Sequence, residues 1–182
     1  MGGRRVRVAS LCALLALGGL TAFLVSRPVD PGATRVSSPL LGTRPPPITA
    51  ATLQHATVSL ASLHGRVVVL SFVASWCGAC GTEAPALVTY AWHEHVTHTP
   101  ATILGVVYSD DDAAVAAFAR DHGLTFPVLV DPGGVIANDF AVASPPATVV
   151  LDPAGRVAAV LLGAVSAHQL VSVTTDALRE AA

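Results

Sequence analysis

The chain contains no lysine; all ten of its basic residues are arginine. Charge is sparse, at 12% of residues. Beyond residue 45 four arginines face eleven acidic residues. The folded part therefore has no basic face with which to neutralise phosphates, and nucleic acid binding is excluded. Cysteine is also scarce, at three residues. A disulfide-stapled scaffold needs more. No second CxxC pair exists, so a four-cysteine zinc site is excluded as well. No internal repeat is present. With 182 residues, the chain has room for one domain with its own core plus extra segments.

What is present begins with Arg4, Arg5 and Arg7, followed by an uncharged run from Val8 to Ser26. That length just spans a bilayer as a helix. The arginines before it predict a cytoplasmic N-terminus and an exported remainder. A cleaved signal peptide competes, but no small-x-small cleavage site follows the run. Residues 1–26 are therefore expected to be an uncleaved, single-pass membrane anchor, with the rest on the extracytoplasmic side. Cys12 follows bulky Leu11 and precedes most of the apolar run, so it reads as a small apolar residue in lipid rather than a lipidation site. Residues 27–47 hold six of the thirteen prolines and are expected to form an extended linker.

From residue 48 to 182 a single domain is expected. ITAATL and ATVSL, around Gln54 and His55, predict a short hairpin. RVVVLSFVA (66–74) is a β-branched, apolar run suited to a strand buried on both faces. Cys80 to about His95 predicts a helix with Ala84, Leu87, Val88 and Ala91 on one face. A second central strand follows at 101–109. Asp110 or Asp111 can cap the next helix, which stops at Gly123. A short strand and helical fragment, then a hairpin over 147–163 and a C-terminal helix, complete the order. The class is α/β, a central mixed sheet with helices on both faces.

Cys77 and Cys80 sit between the end of the buried strand and the start of the helix. A helix N-terminus offers unpaired N–H groups and partial positive charge, which stabilise a thiolate. Cys80, one turn on, is placed to attack a mixed disulfide and release the product. Trp76 is expected to shield one side of the pair. The alternatives are half of a metal site and an inert disulfide. His93, Glu94, His95 and His98 lie about four turns away and cannot easily complete a metal site. A disulfide closing so short a loop adds little stability. Redox chemistry is the reading taken, and it needs neither metal nor cofactor.

The segment FVASWCGACGTEAP resembles the active-site segment of thioredoxin-fold proteins. More narrowly, the chain resembles the membrane-anchored thiol:disulfide reductases of cytochrome c maturation, the CcmG/DsbE and ResA/TlpA-like group. SPLLGTRPPPITAATL, WCGACGTE, VVYSDD, FPVLVDPGGVIANDFAV and PPATVVLDPAGRV carry the resemblance in order, from about Ser38 to the C-terminus. It implies a thioredoxin-like fold with an N-terminal β extension and an inserted short strand and helix. It implies that Cys77 attacks, Cys80 resolves, and Glu83 tunes their proton transfers. Pro85 matches a helix kink. Pro146 matches a cis-proline opposite the dithiol, with Trp76, Pro145 and Pro146 meeting the substrate. The implied partners are a membrane thiol carrier as electron donor and an exported client with a disulfide, the haem-binding CxxCH segment of apocytochrome c.

The chain departs from the group in three places. Pro145 precedes Pro146 and has no N–H, so one hydrogen bond to a docked substrate is unavailable. Ala147 stands where CcmG-type proteins often carry Glu. Val73 and Gly78-Ala79 replace the usual Trp and Xaa-Pro, so the potential cannot be borrowed from relatives. Other functions compatible with a dithiol are an oxidase or isomerase of exported proteins and a thioredoxin-like copper chaperone, since two thiolates suit copper(I). A peroxidase of the peroxiredoxin type is disfavoured by Ala74, three residues before Cys77, where that family carries Thr or Ser.

Overall fold

The computed structural model describes residues 32–181. The expected anchor over 1–26 lies outside them, and among the described residues no helix is long and apolar enough to cross a membrane. The centre of the fold is β4 (Val67–Val73), in which all seven residues are buried. Alternation of side chains across a strand sends Val67, Val69 and Val73 to one face and Val68, Leu70 and Phe72 to the other. Each face therefore needs a cover, and β-branched residues suit this two-sided packing.

Around β4 the sheet runs in the order β1 (Thr34–Arg35), β8 (Val157–Leu162), β7 (Ala147–Leu151), β4, β5 (Ala101–Val107) and β6 (Val128–Leu129). Strand β5 is parallel to β4, and β6 is parallel to β5. Strands β7 and β8 form the antiparallel hairpin. Helices α1 (Gly78–Thr97), α2 (Asp112–Asp121) and α4 (Ala167–Glu180) cover the Val69 face. Helix α3 (Val135–Asp139) covers the Phe72 face, where Phe140 meets Phe72 edge-on at 6.1 Å. In α1 the buried stripe is Cys80, Ala84, Leu87 and Tyr90, spaced as one helix face. The helix continues through Pro85.

The short hairpin is formed by β2 (Thr49–Ala51) and β3 (Thr57–Ser59). The chain around it shields the β6 edge: Leu53 N–H donates to Val128 O, and Val130 N–H donates to Ala51 O. The opposite edge brings a correction. The expected linker over 27–47, of which 27–31 lie outside the described residues, and a domain start at 48 do not hold from residue 32 onward. Instead β1 (Thr34–Arg35) pairs antiparallel with β8. Gly42 N–H donates to Val157 O, and Val157 N–H donates to Thr43 O. Ala33, Val36 and Leu40 pack against the core. The prolines dominated the linker reading, but the stretch between Pro31 and Pro45 keeps enough donors and small apolar groups to pair with an open edge. Covering such an edge removes a template for aggregation.

Candidate active site

Cys77 is the N-cap of α1, with φ −89° and ψ 100°. Its Sγ accepts the N–H of Cys80 at 3.1 Å, the position a capping oxygen usually takes. Its carbonyl accepts from Cys80 and Gly81 N–H. A negative sulfur at this point would meet both a donor and the positive end of a twenty-residue helix. Cys77 and Cys80 are joined as a disulfide, with Cα atoms 5.2 Å apart. Cys80 is fully buried and Cys77 is 7% exposed. The accessible side of the pair is therefore that of Cys77. Ala74, three residues earlier, is buried and offers no hydroxyl.

Glu83 lies one turn past Cys80, on the same side of α1. It is 2% exposed. Its Oε1 accepts Val165 N–H at 3.0 Å, while Oε2 is buried without a partner. Burial raises the carboxyl to about pH 7, partly opposed by the Val165 bond. A group with that affinity can take up or release a proton at neutral pH.

Antiparallel pairing of Phe72 with Ala147 sets Pro146 abreast of Val73, at the strand end that leads into the cysteines. The Pro145–Pro146 bond is cis. Pro146 is buried and its carbonyl accepts Gly163 N–H, whereas Pro145 is half-buried. Trp76 is 59% exposed. Its ring leans edge-on against Tyr108 at 6.4 Å, and its indole N–H donates to Ser109 O at 3.3 Å.

Residues 108–110, at the end of β5, have partners at the site that VVYSDD does not signal. Of the two cap candidates Asp110 and Asp111, Asp111 takes the role, accepting Ala113 and Ala114 N–H, and Asp112 begins the helix. Asp110 instead accepts the N–H of Ser75 at 2.6 Å, across thirty-five residues of sequence. Burial alone would raise its carboxyl, but the bonds from Ser75 and Asp111 outweigh that and hold it below its usual range. Tyr108 donates its hydroxyl proton to Ala143 O at 2.6 Å. No local pattern announces these partners. His93, His95 and His98 lie at the far end of α1, where His93 is 3.5 Å from Glu94. Among the described residues no group of three or more His, Cys, Asp or Glu is placed to hold a metal.

This arrangement has relatives. The chain is 34% identical over 143 residues to a thiol:disulfide interchange protein DsbE homologue of Paracoccus denitrificans, covering 76% of this chain and 74% of that one. It is 33% identical over 135 residues to the thioredoxin-like protein YneN of Bacillus subtilis, covering 71% and 75%. Among solved structures, a secreted Mycobacterium tuberculosis disulfide oxidoreductase homologous to E. coli DsbE superposes with TM-score 0.63 and 31% identity. That match covers 71% of this chain and 95% of the other. The expected thioredoxin-like fold and the thiol:disulfide oxidoreductase chemistry at Cys77 and Cys80 both hold. Residues 41–160, more than half of the chain, match the AhpC/TSA family, and to that family the chain belongs.

Proposed function

We propose that this oxidoreductase works as a reductase on the extracytoplasmic side of a membrane, held there by residues 1–26. It would draw electrons from a membrane thiol carrier. It would pass them to the disulfide of an exported client, the haem-binding cysteines of apocytochrome c. One observation carries the reading: an N-capping Cys77 is backed by a fully buried Cys80 and a buried Glu83 with an affinity for protons near neutrality.

In the reduced enzyme the Cys77 thiolate attacks one client sulfur. The client S–S bond breaks, a mixed disulfide forms, and the leaving sulfur takes a proton. Cys80 then loses its proton, which the Glu83 carboxylate can accept, and attacks Cys77 Sγ. The second client sulfur leaves and is protonated. Two electrons have passed to the client, with one proton from Cys80 and one from solvent, and the enzyme holds the Cys77–Cys80 disulfide. Trp76, Pro145 and Pro146 form the rim the client would meet. The test is the equilibrium reduction potential of the pair in thiol/disulfide buffers. A value of about −270 mV or lower supports a reductase; a value near about −120 mV overturns it in favour of an oxidase or isomerase.

A further inference from the structure

Three consecutive residues at the end of β5 each hold a different part of the active site. Tyr108 Oη donates to Ala143 O, in the loop that leads to Pro145 and Pro146. Ser109 O accepts the indole N–H of Trp76. The Asp110 carboxylate accepts Ser75 N–H through Oδ2 and Asp111 N–H through Oδ1. These contacts alternate in direction, and the backbone accommodates them by placing Ser109 at φ 45°. That is the left-handed region, which L side chains enter at a cost and which persists where surrounding contacts over-determine it. Trp76 and Tyr108 also touch edge to face. On its helix side the turn Ser75–Trp76–Cys77 is held by the Cys77 cap and disulfide, whereas on its strand side Cys77 N–H reaches back to Ala74 O at 3.2 Å and Trp76 is largely exposed, so the Asp110 bond to Ser75 N–H is the side-chain restraint there.

We propose that Asp110 is a positioning residue for the exchange reaction. Its carboxylate fixes the turn that carries Trp76 and Cys77, and through Ser109 and Tyr108 it keeps that turn in register with the Pro145–Pro146 loop. The consequence is geometric. The attacking sulfur and the client segment that lies against the proline loop are aligned by one short piece of β5, and near-attack alignment governs the rate. The inference rests on exchange at Cys77 and is independent of the client, the electron donor and the direction of electron flow.

The experiment uses the full chain, reduced, with a synthetic peptide containing an internal CxxC disulfide. Rates of peptide reduction are compared with rates of Cys77 alkylation by iodoacetamide across pH. Asp110→Ala is expected to slow peptide reduction about tenfold. Asp110→Asn is expected to stay within about threefold of wild type, because its side-chain carbonyl still accepts the Ser75 N–H. The redox-linked change in tryptophan emission should be altered in the Ala variant and retained in the Asn variant. An Ala variant as fast as wild type, or an Asn variant as slow as Ala, overturns the proposal. Should the Ala variant not fold, Tyr108→Phe carries the test. It is expected to slow peptide reduction about threefold and leave alkylation unchanged, because the small reagent needs no proline loop. Equal peptide rates for that variant and wild type overturn the proposal. A wild-type chain that exchanges while its variants match it defeats this inference alone. A wild-type chain that fails to exchange defeats the functional reading with it.

Discussion

The backbone N–H of Val165 donates to Oε1 of Glu83 across eighty-two residues of sequence, and leaves Oε2 buried without a partner. The bond ties the segment before α4 to the first turns of the active-site helix. It also places one ionisable oxygen where water does not reach it.

A pH dependence follows from that carboxyl. Folded protein retains the Glu83 proton up to about pH 7, against 4.5 in the unfolded chain. Stability from this group is complete below about 4.5 and is lost as pH rises through about 7, by on the order of 3 kcal/mol. Glu83→Gln keeps the shape and the acceptor for Val165 but cannot ionise. Urea unfolding of the oxidised protein at pH 5 and pH 8 should show a clear loss in wild type and a much smaller one in the variant. Equal losses in both would assign the slope to other groups.

Two glycines predict opposite outcomes. A Cβ on Gly105 would lie 3.0 and 3.1 Å from the methyls of Val128, which is fully buried and cannot swing aside. Gly105→Ala is expected to destabilise by about 1–3 kcal/mol. A Cβ on Gly81 would lie 3.3 Å from the exposed ring of His122, which can turn outward. Gly81→Ala is expected to be neutral or to stabilise by up to about 1 kcal/mol, through helix propensity. Thermal unfolding ranks the two; a Gly105 variant as stable as wild type contradicts the close-approach argument.

Tyr90 and Thr174 share a hydrogen bond of 2.7 Å between α1 and α4, in the closed core. Tyr90→Phe strands the threonine hydroxyl and should cost about 1–2 kcal/mol. Thr174→Val should cost a similar amount. The double variant should lose less than the sum, because each single change leaves an orphan that the other removes. Additive losses in a double-mutant cycle would mean that the bond contributes nothing.

Much of the architecture was legible in the residues because its signals are local. The run VVVLSFV has no polar alternation, so it could only be a strand covered on both sides, and β4 is that strand. The WCGACGTE segment placed both cysteines at a strand-to-helix junction, and Cys77 is the N-cap found there. The β1 pairing was not legible. Its two residues have no strand pattern of their own, and proline-rich surroundings concealed them. An edge strand forms because a neighbour offers unpaired N–H and C=O groups, and that neighbour is β8, more than a hundred residues away.

The chemistry of this protein is written locally in its residues: two sulfurs three residues apart at a helix start, in a chain with no second CxxC pair and few basic residues beyond residue 45. Spacing along the chain and helix electrostatics are enough for that, since both act within a few residues. The polar contacts of the active-site helix and turn come from tertiary packing instead. Burial gave Glu83 its affinity for protons, and close packing of β5 against the active-site turn gave Asp110 and Tyr108 their partners. Such contacts join residues distant in sequence, and a hydrogen bond across thirty-five or eighty-two residues leaves no periodic trace in the chain that makes it.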